Sequence, residues 1–156
     1  MTDQRTDDPA EPSAGYFRGR VHILPVRIYY EDTDFSGMVY HANYLRYFER
    51  GRSDVLRLAG IGHSALAARS EPLAFTVRRI EVEFFAPARI DDALEVRSAY
   101  EEIAGARIHV RQEIFRGPER LSAAKLEVIC ITLAGRPKRI PADLLAAFAP
   151  FVTGVV

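Results

Sequence analysis

The stretch that decides the fold spans residues 29–52 and has the sequence YYEDTDFSGMVYHANYLRYFERGR. It contains three acids, Glu31, Asp32 and Asp34, directly after an apolar segment. A glycine-containing turn, a histidine and an amphipathic helix follow. A carboxylate close to a helix N-terminus can attack a carbonyl carbon or activate water against it, while free backbone N–H groups hold the oxygen. The pattern therefore indicates hydrolysis of an ester or thioester.

The same stretch carries the motif D-T-D-x-x-G-x-V-Y-H-x-x-Y between a strand and a long helix. Its residues are Tyr30, Asp32, Thr33, Asp34, Gly37, Val39, Tyr40, His41, Asn43, Tyr44 and the segment 49–52. The motif resembles the 4-hydroxybenzoyl-CoA thioesterase family of hotdog-fold enzymes, especially the acyl-CoA thioesterase branch linked to the bacterial Tol-Pal system. Met38 departs from the family, which usually has a branched aliphatic residue there. The resemblance extends more loosely over residues 21–141.

Hydrophobic periodicity predicts an α+β fold. Residues 21–30 are typical of a first strand, and apolar residues at helical spacing predict a helix that ends near Gly60. Alternating apolar and polar residues then predict a four-strand antiparallel meander from about residue 79 to residue 133. The resemblance implies the hotdog arrangement of these elements, a curved antiparallel sheet of about five strands wrapped around one long helix. We expect a short helix or extension within residues 141–151.

Length and composition favour one globular domain. The chain has 156 residues, and a predicted tail at residues 1–18 precedes a single domain at residues 19–156 with a short C-terminal extension. Lys+Arg and Asp+Glu number 21 each, so no overall field favours nucleic acid. No apolar run is long enough to cross a bilayer, and residues 1–15 lack the apolar segment of a signal peptide. Cys130 lies in an apolar run and is expected to be buried. We therefore expect a cytoplasmic protein.

The resemblance implies two catalytic residues, Asp34 and His41. Asp34 matches the family's aspartate and would act as a nucleophile toward the thioester or as a general base for water, and both roles remain open. His41 matches the residue whose backbone N–H polarises the thioester carbonyl, and its imidazole could also contact substrate or orient Asp34. Each side chain also has a purely structural interpretation. Asp34 could stabilise the turn through local hydrogen bonds, and His41 could cap the helix or hydrogen-bond to buried polar groups. Glu49 is the reserve carboxylate, since another hotdog branch uses a helix-borne acid.

Five further residues are expected to contact substrate: Gly37, Met38, Val39, Tyr40 and Tyr44. Gly37 would permit the turn that brings Asp34 to the helix, and Tyr44 is also at a spacing typical of core residues. Phe75 and Val77 are additional candidates for the acyl lining. A metal site built from Asp32, Asp34 and His41 is the less favoured interpretation, because the spacing lacks a third fixed ligand and the resembling family uses no metal. We expect no metal and no cofactor, since CoA is part of the substrate.

The expected function is hydrolysis of acyl-CoA to a free acid and CoA. The resemblance also implies a homodimer or homotetramer and a possible protein partner from the cell envelope or phospholipid synthesis. Two rivals remain open: a hotdog hydratase or dehydratase acting on enoyl thioesters, and a non-catalytic acyl-CoA-binding or scaffold protein. The spacing of Asp34 and His41, with Gly37 between them, fits the thioesterase pattern better than the hydratase pattern. The candidates for binding the CoA phosphates are Arg78, Arg79, Arg89, Arg136, Lys138 and Arg139. The cluster at residues 136–139 is the best of them, and a solvated surface charge is the alternative for each.

Overall fold

The computed structural model describes residues 14–155, which form seven strands and three α-helices. The elements in chain order are β1 (Tyr16–Arg18), β2 (Val21–Arg27), α1 (His41–Leu58), α2 (His63–Ala67), β3 (Leu73–Phe84), β4 (Ala93–Ala104), β5 (Arg107–Arg116), β6 (Glu119–Thr132), α3 (Ala142–Phe148) and β7 (Val152–Val155). Short 3-10 turns lie at Tyr30–Asp32 and Ala149–Phe151.

All seven strands belong to one sheet, with the order β1-β2-β4-β5-β6-β3 and β7 paired to the far end of β4. Every pair is antiparallel except β4 with β7. Register shifts interrupt the ladders, for example between Val77 and Arg79, and such bulges bend strands. The predicted α+β hotdog arrangement is confirmed, with seven strands in place of about five.

The predicted four-strand meander is wrong in one respect. Strands β4, β5 and β6 follow one another, but β3 pairs with β6 at the edge of the sheet and not with β4. As a result Ile80 and Phe84, which alternation assigns to a buried face, are 36% and 50% exposed. Alternation reports which side chains share a face, but not which element covers that face.

Helix α1 packs its apolar side against the sheet. Its buried residues are Tyr44, Tyr47, Phe48, Gly51, Val55 and Leu56. Gly51 allows the close approach, because a Cβ there would lie only 3.1 Å from both Ser98 Oγ and Val96 Cγ1. A Cβ at residue 51 would therefore require the facing side chains of the sheet to shift by a few tenths of an ångström.

The expected tail ends earlier than residue 18. Tyr16–Arg18 pair with β2, and the Phe17 ring stacks on Phe151 with centroids 4.1 Å apart. The Gly15 N–H donates to Asp54 Oδ2 on α1 at 2.8 Å. These backbone and side-chain partners tie residues 15–18 to the domain, so that part of the tail prediction is wrong. Residues 1–13 lie outside the described part of the chain.

The remaining expectations from the sequence concern the C-terminus, the cysteine and membrane spans. Helix α3 confirms the predicted C-terminal helix, and Cys130 is fully buried and free, as expected. Burial raises the pKa of the Cys130 thiol, so it stays protonated and unreactive. No helix within residues 14–155 is both long and apolar enough to cross a bilayer.

Candidate active site

A tight turn places the Asp34 carboxylate just before α1. Thr33 bridges to Val39, the Asp34 N–H donates to the Met38 carbonyl at 2.9 Å, and the Gly37 N–H donates to the Asp34 carbonyl at 3.1 Å. Gly37 has a φ of 80°, in the left-handed region that side chains with a Cβ avoid. The expected role of Gly37 in shaping this turn is therefore supported by its conformation.

Asp32 joins the turn to the first residues of the helix. Its carboxylate accepts the Tyr29 N–H at 2.7 Å. Its backbone carbonyl accepts the Asn43 side-chain amide at 2.8 Å and the Tyr40 N–H at 3.1 Å. Asp32 thus orients the turn through local hydrogen bonds, and Asn43 locks the turn to the helix N-terminus.

The Asp34 carboxylate is exposed and ionised at neutral pH. Its Oδ1 accepts hydrogen bonds from the Ser36 hydroxyl and, at 2.8 Å, from the Ser36 N–H. These bonds, the hydroxyl first, lower the pKa of Asp34 below its ordinary value. Within residues 14–155 its Oδ2 makes no hydrogen bond, so this oxygen is available to attack or to accept a proton.

Helix α1 begins at His41 without a side-chain cap. The preceding residue, Tyr40, has an extended backbone, and its side chain accepts no hydrogen bond from the N–H groups of the first turn. In the described part of the chain the backbone N–H groups of His41 and Ala42 have no acceptor. Free N–H groups at the positive end of a helix are suited to hold a developing oxyanion. The His41 imidazole is exposed and packs beside the Tyr40 ring, with centroids 4.6 Å apart.

One open cavity of about 340 Å³ contains these groups, and we call it the Asp34 cavity. It is lined by Asp34, Met38, Val39, His41, Tyr44, Phe84, Phe85, Ala86 and Pro87. Five of the seven residues expected in the site therefore line a common space. Gly37 shapes the turn from outside the lining, and Tyr40 does not line the cavity, because its ring packs beside that of His41.

Residues 84–87 form the wall that sequence reasoning missed. They comprise the last residue of β3 and the three residues after it, and the Tyr44 hydroxyl accepts the neighbouring Ala88 N–H at 2.9 Å, which ties this wall to α1. The only signal in the sequence was the break in alternation at Phe84 and Phe85, followed by Ala86-Pro87. Tyr44 is 3% exposed, so it serves both the core and the cavity wall.

Other candidates from the sequence lie elsewhere. Phe75 and Val77 line a second cavity, between α1 and β3, together with Glu49. Among residues 14–155 no group of three His, Cys, Asp or Glu side chains is placed to hold a metal ion. Of the basic residues near the sheet, Arg78 pairs with Glu127 at 2.7 Å.

The sequence matches the family model described as the thioesterase-like superfamily over residues 29–148. This match covers most of the chain and includes the turn, α1 and the whole Asp34 cavity. The chain belongs to the thioesterase-like superfamily. The family membership and fold predicted from the motif are therefore confirmed.

Relatives in this superfamily include proteins named for thioester hydrolysis. The chain is 40% identical over 126 residues to a protein of Escherichia coli O6:H1 named acyl-CoA thioester hydrolase YbgC, covering 80% of this chain and 92% of the relative. It is 39% identical over 126 residues to acyl-CoA thioesterase YbgC of Haemophilus influenzae, with the same coverage. A crystal structure of a probable thioesterase from Bartonella henselae is 43% identical, with a TM-score of 0.75, covering 78% of this chain and 99% of that one.

Proposed function

We propose that this protein is an acyl-CoA thioesterase that hydrolyses acyl-CoA to a free acid and CoA. The observation that carries the proposal is the presence, in one cavity, of an ionised carboxylate and an uncapped helix N-terminus. Superfamily membership and the names of the relatives from E. coli and H. influenzae support the same activity. The reaction needs no metal or cofactor, because CoA enters as part of the substrate and a carboxylate supplies the chemistry.

In the proposed mechanism the thioester carbonyl oxygen accepts hydrogen bonds from the backbone N–H groups of His41 and Ala42. The free Oδ2 of Asp34 then attacks the carbonyl carbon, the C–S bond breaks, and CoA leaves as its thiolate, which takes a proton from solvent. Water hydrolyses the resulting acyl anhydride and restores the carboxylate. In the alternative route Asp34 takes a proton from water, which attacks the carbonyl directly. Both routes need an ionised Asp34 and an oxyanion site, and they give the same products.

The proposed contribution of His41 is its position at the first turn of α1. A backbone donor survives replacement of the side chain, so a His41→Ala variant keeps the oxyanion site and loses only contacts of the imidazole. The proposed substrate contacts of Met38, Val39 and Tyr44 are with the atoms around the thioester, because these residues line the same cavity.

We propose that the protein is a homodimer formed through β3. This strand is a 12-residue edge strand that carries three exposed apolar side chains, Val77, Ile80 and Phe84, and Phe85 directly after it is exposed as well. Long exposed edge strands with apolar side chains pair with another strand. The opposite end of the sheet has only the three-residue β1. Dimers of this kind could pair further into the expected homotetramer.

The charges along β3 favour antiparallel pairing with a second copy. Arg78 and Arg79 precede Ile80 in this strand, and Glu81 and Glu83 follow it. A two-fold axis at Ile80 would place each Arg79 opposite Glu81 of the partner subunit, whereas parallel pairing would align like charges. The strand is therefore self-complementary in one orientation only.

The resemblance to the Tol-Pal-linked branch supports a cytoplasmic enzyme that associates with envelope or phospholipid-synthesis proteins. The equal numbers of acidic and basic residues agree with a protein partner better than with nucleic acid. Affinity purification of the tagged protein from cells that express it at its natural level tests this association. Recovery of no envelope or lipid-synthesis protein above a tag-only control would remove this part of the proposal.

The decisive experiment measures free-thiol release from a panel of acyl-CoAs by the wild type, Asp34→Asn and Asp91→Asn. Loss of a nucleophile or general base lowers the rate by on the order of 100-fold or more. Asp91 is a matched control, because it is also an exposed loop aspartate and its φ of 67° is tolerated by asparagine. We expect Asp91→Asn to keep the wild-type rate.

Three results would contradict the proposal in different ways. A folded Asp34→Asn variant with the wild-type rate would show that Asp34 is structural and make Glu49 the next suspect. Absence of thiol release with loss of enoyl-CoA absorbance would favour a hydratase. Tight acyl-CoA binding with no turnover of any substrate would favour a binding or scaffold protein.

A further inference from the structure

Residues 85–92 connect β3 to β4, and we call them the β3–β4 loop. The first residues of the loop line the Asp34 cavity. Its last two residues pair with Ile28, which precedes Asp34 in the chain. Ile28 accepts a hydrogen bond from the Asp91 N–H at 2.9 Å and donates one to the Asp92 carbonyl at 3.0 Å. The loop is thus attached to the chain ahead of the turn that carries the carboxylate.

The middle of the β3–β4 loop is attached to the chain after Asp34. The Val39 N–H donates to the Ala88 carbonyl at 2.9 Å, and Met38 forms an antiparallel bridge with Arg89. The Met38 carbonyl in turn accepts the Asp34 N–H at 2.9 Å. Because the loop contacts the chain on both sides of Asp34, a shift of the loop would displace the carboxylate relative to the start of α1.

Arg116, the last residue of β5, holds the β3–β4 loop through its guanidinium group. Its Nη1 donates to the Pro87 carbonyl at 3.1 Å and to Asp92 Oδ2 at 2.6 Å, so one nitrogen joins the two halves of the loop. The same Asp92 oxygen accepts the Arg89 N–H at 2.8 Å. Nη2 of Arg116 donates to the Glu119 carboxylate at 2.7 Å, which fixes the orientation of the planar group.

The ion pair of Arg116 and Asp92 is partly shielded from solvent. The two side chains are 31% and 22% exposed. Burial by itself would raise the pKa of Asp92, but the hydrogen bonds from the Arg89 N–H and the Arg116 guanidinium outweigh it and hold that pKa below its ordinary value. The carboxylate is therefore ionised at neutral pH. Hydrogen bonds between charged groups are stronger than those between neutral groups, so this pair is suited to fix the loop.

We propose that Arg116 and Asp92 are positioning residues, which hold the β3–β4 loop so that the Asp34 carboxylate and the first N–H groups of α1 act on the same thioester carbonyl. Within residues 14–155 the lining of the Asp34 cavity includes neither side chain, so both act through the loop and not on the substrate. Misplacement of a reacting group by about 1 Å can lower a rate by about 100-fold. This inference rests on the proposed thioesterase activity and adds the residues that set its geometry.

The test compares Arg116→Ala with the matched control Arg69→Ala. The Arg69 side chain is 28% exposed, close to the value for Arg116, and its guanidinium donates to both oxygens of Asp143, at 2.7 and 3.1 Å. Arg69 lies outside the lining of the Asp34 cavity. Free-thiol release gives kcat and KM of each protein for an acyl-CoA that the wild type hydrolyses, and urea denaturation gives the free energy of unfolding.

We expect Arg116→Ala to lower kcat by about tenfold and to change KM by less than about threefold, because the bonds between the loop and residues 38–39 keep part of the geometry. Arg69→Ala should keep the wild-type kcat at a similar cost in stability. A wild-type kcat in Arg116→Ala, or an equal loss of kcat in both variants, would overturn the proposal. A wild type that hydrolyses no thioester would instead remove the proposed function itself.

Chemical rescue distinguishes positioning from a general loss of stability. Guanidinium ion, at concentrations far below those that unfold proteins, can occupy the space left in Arg116→Ala and donate to the Pro87 carbonyl and Asp92. We expect it to restore kcat in this variant but not to change kcat in Arg69→Ala, and methylammonium should restore less, because it lacks the planar fork. No rescue, or equal rescue by both cations, would contradict the proposal. If Arg116→Ala does not fold, Asp92→Asn keeps the side-chain size, and a wild-type kcat in that variant would overturn the proposal.

Discussion

Gln112 is the residue whose replacement most directly tests the buried network behind α1. It is fully buried on β5, donates two hydrogen bonds, to the Phe48 carbonyl and Ser98 Oγ, and accepts one from the Arg52 guanidinium. Gln112→Leu keeps a similar size but removes all three bonds. The two neutral bonds contribute about 1 kcal/mol each and the charge-assisted bond about 2 kcal/mol.

Leucine returns part of this loss through apolar contacts, about 1 kcal/mol. We therefore expect Gln112→Leu to lower the free energy of unfolding by about 3 kcal/mol, which for a chain of this length lowers Tm by about 10 °C. Urea denaturation followed by circular dichroism measures the change. An m-value equal to that of the wild type shows that both proteins expose the same surface on unfolding. Asp143→Ala is the control, because it removes an exposed ion pair with Arg69 and should change stability little.

The reasoning is refuted if the free energy of unfolding of Gln112→Leu lies within about 1 kcal/mol of the wild-type value at the same m-value, because the three hydrogen bonds would then not stabilise the fold.

Three further predictions follow from the described contacts. Ser36→Ala removes the hydroxyl that lowers the pKa of Asp34, so the acid limb of the kcat/KM profile should move to higher pH, and an unmoved limb would contradict the proposed role of Asp34. Gly51→Ala gains about 1 kcal/mol of helix propensity, but it places a Cβ 3.1 Å from buried Val96, and this overpacking costs about 2 kcal/mol. Urea denaturation should therefore show a lower free energy of unfolding than the wild type. A higher free energy of unfolding would show that the sheet shifts to make room for the methyl group. Burial lowers the pKa of His22 below its ordinary 6.5, so the folded protein disfavours the protonated imidazole, and the free energy of unfolding should fall as the pH drops below 6.5. His22→Phe should show a smaller fall, and equal falls in the two proteins would contradict this explanation.

The local structure around the site could be predicted from the sequence because the determining interactions are short in range. The turn at residues 34–38, the position of Gly37 within it and the start of α1 all depend on neighbours within a few residues. Helical spacing likewise identified the buried side of α1, since it reports which side chains share a face. Asp34 and His41 were therefore placed together correctly from the motif.

The wall formed by residues 84–87 and the partner of β3 could not be predicted in this way. Alternation in β3 gives two faces but does not say that β6 lies on one side of the strand and that no strand of residues 14–155 lies on the other. The expected burial of Ile80 and Phe84 failed for that reason.

The sequence by itself determined the carboxylate that we propose reacts, the turn that carries it and the helix that follows, because each depends on contacts between residues close together in the chain. Only the tertiary structure decided that Gln112 fixes Arg52 from 60 residues away and that residues 84–87 enclose the Asp34 cavity. Such enclosures arise where distant segments meet, and a local pattern of hydrophobicity contains no information about which segments those are.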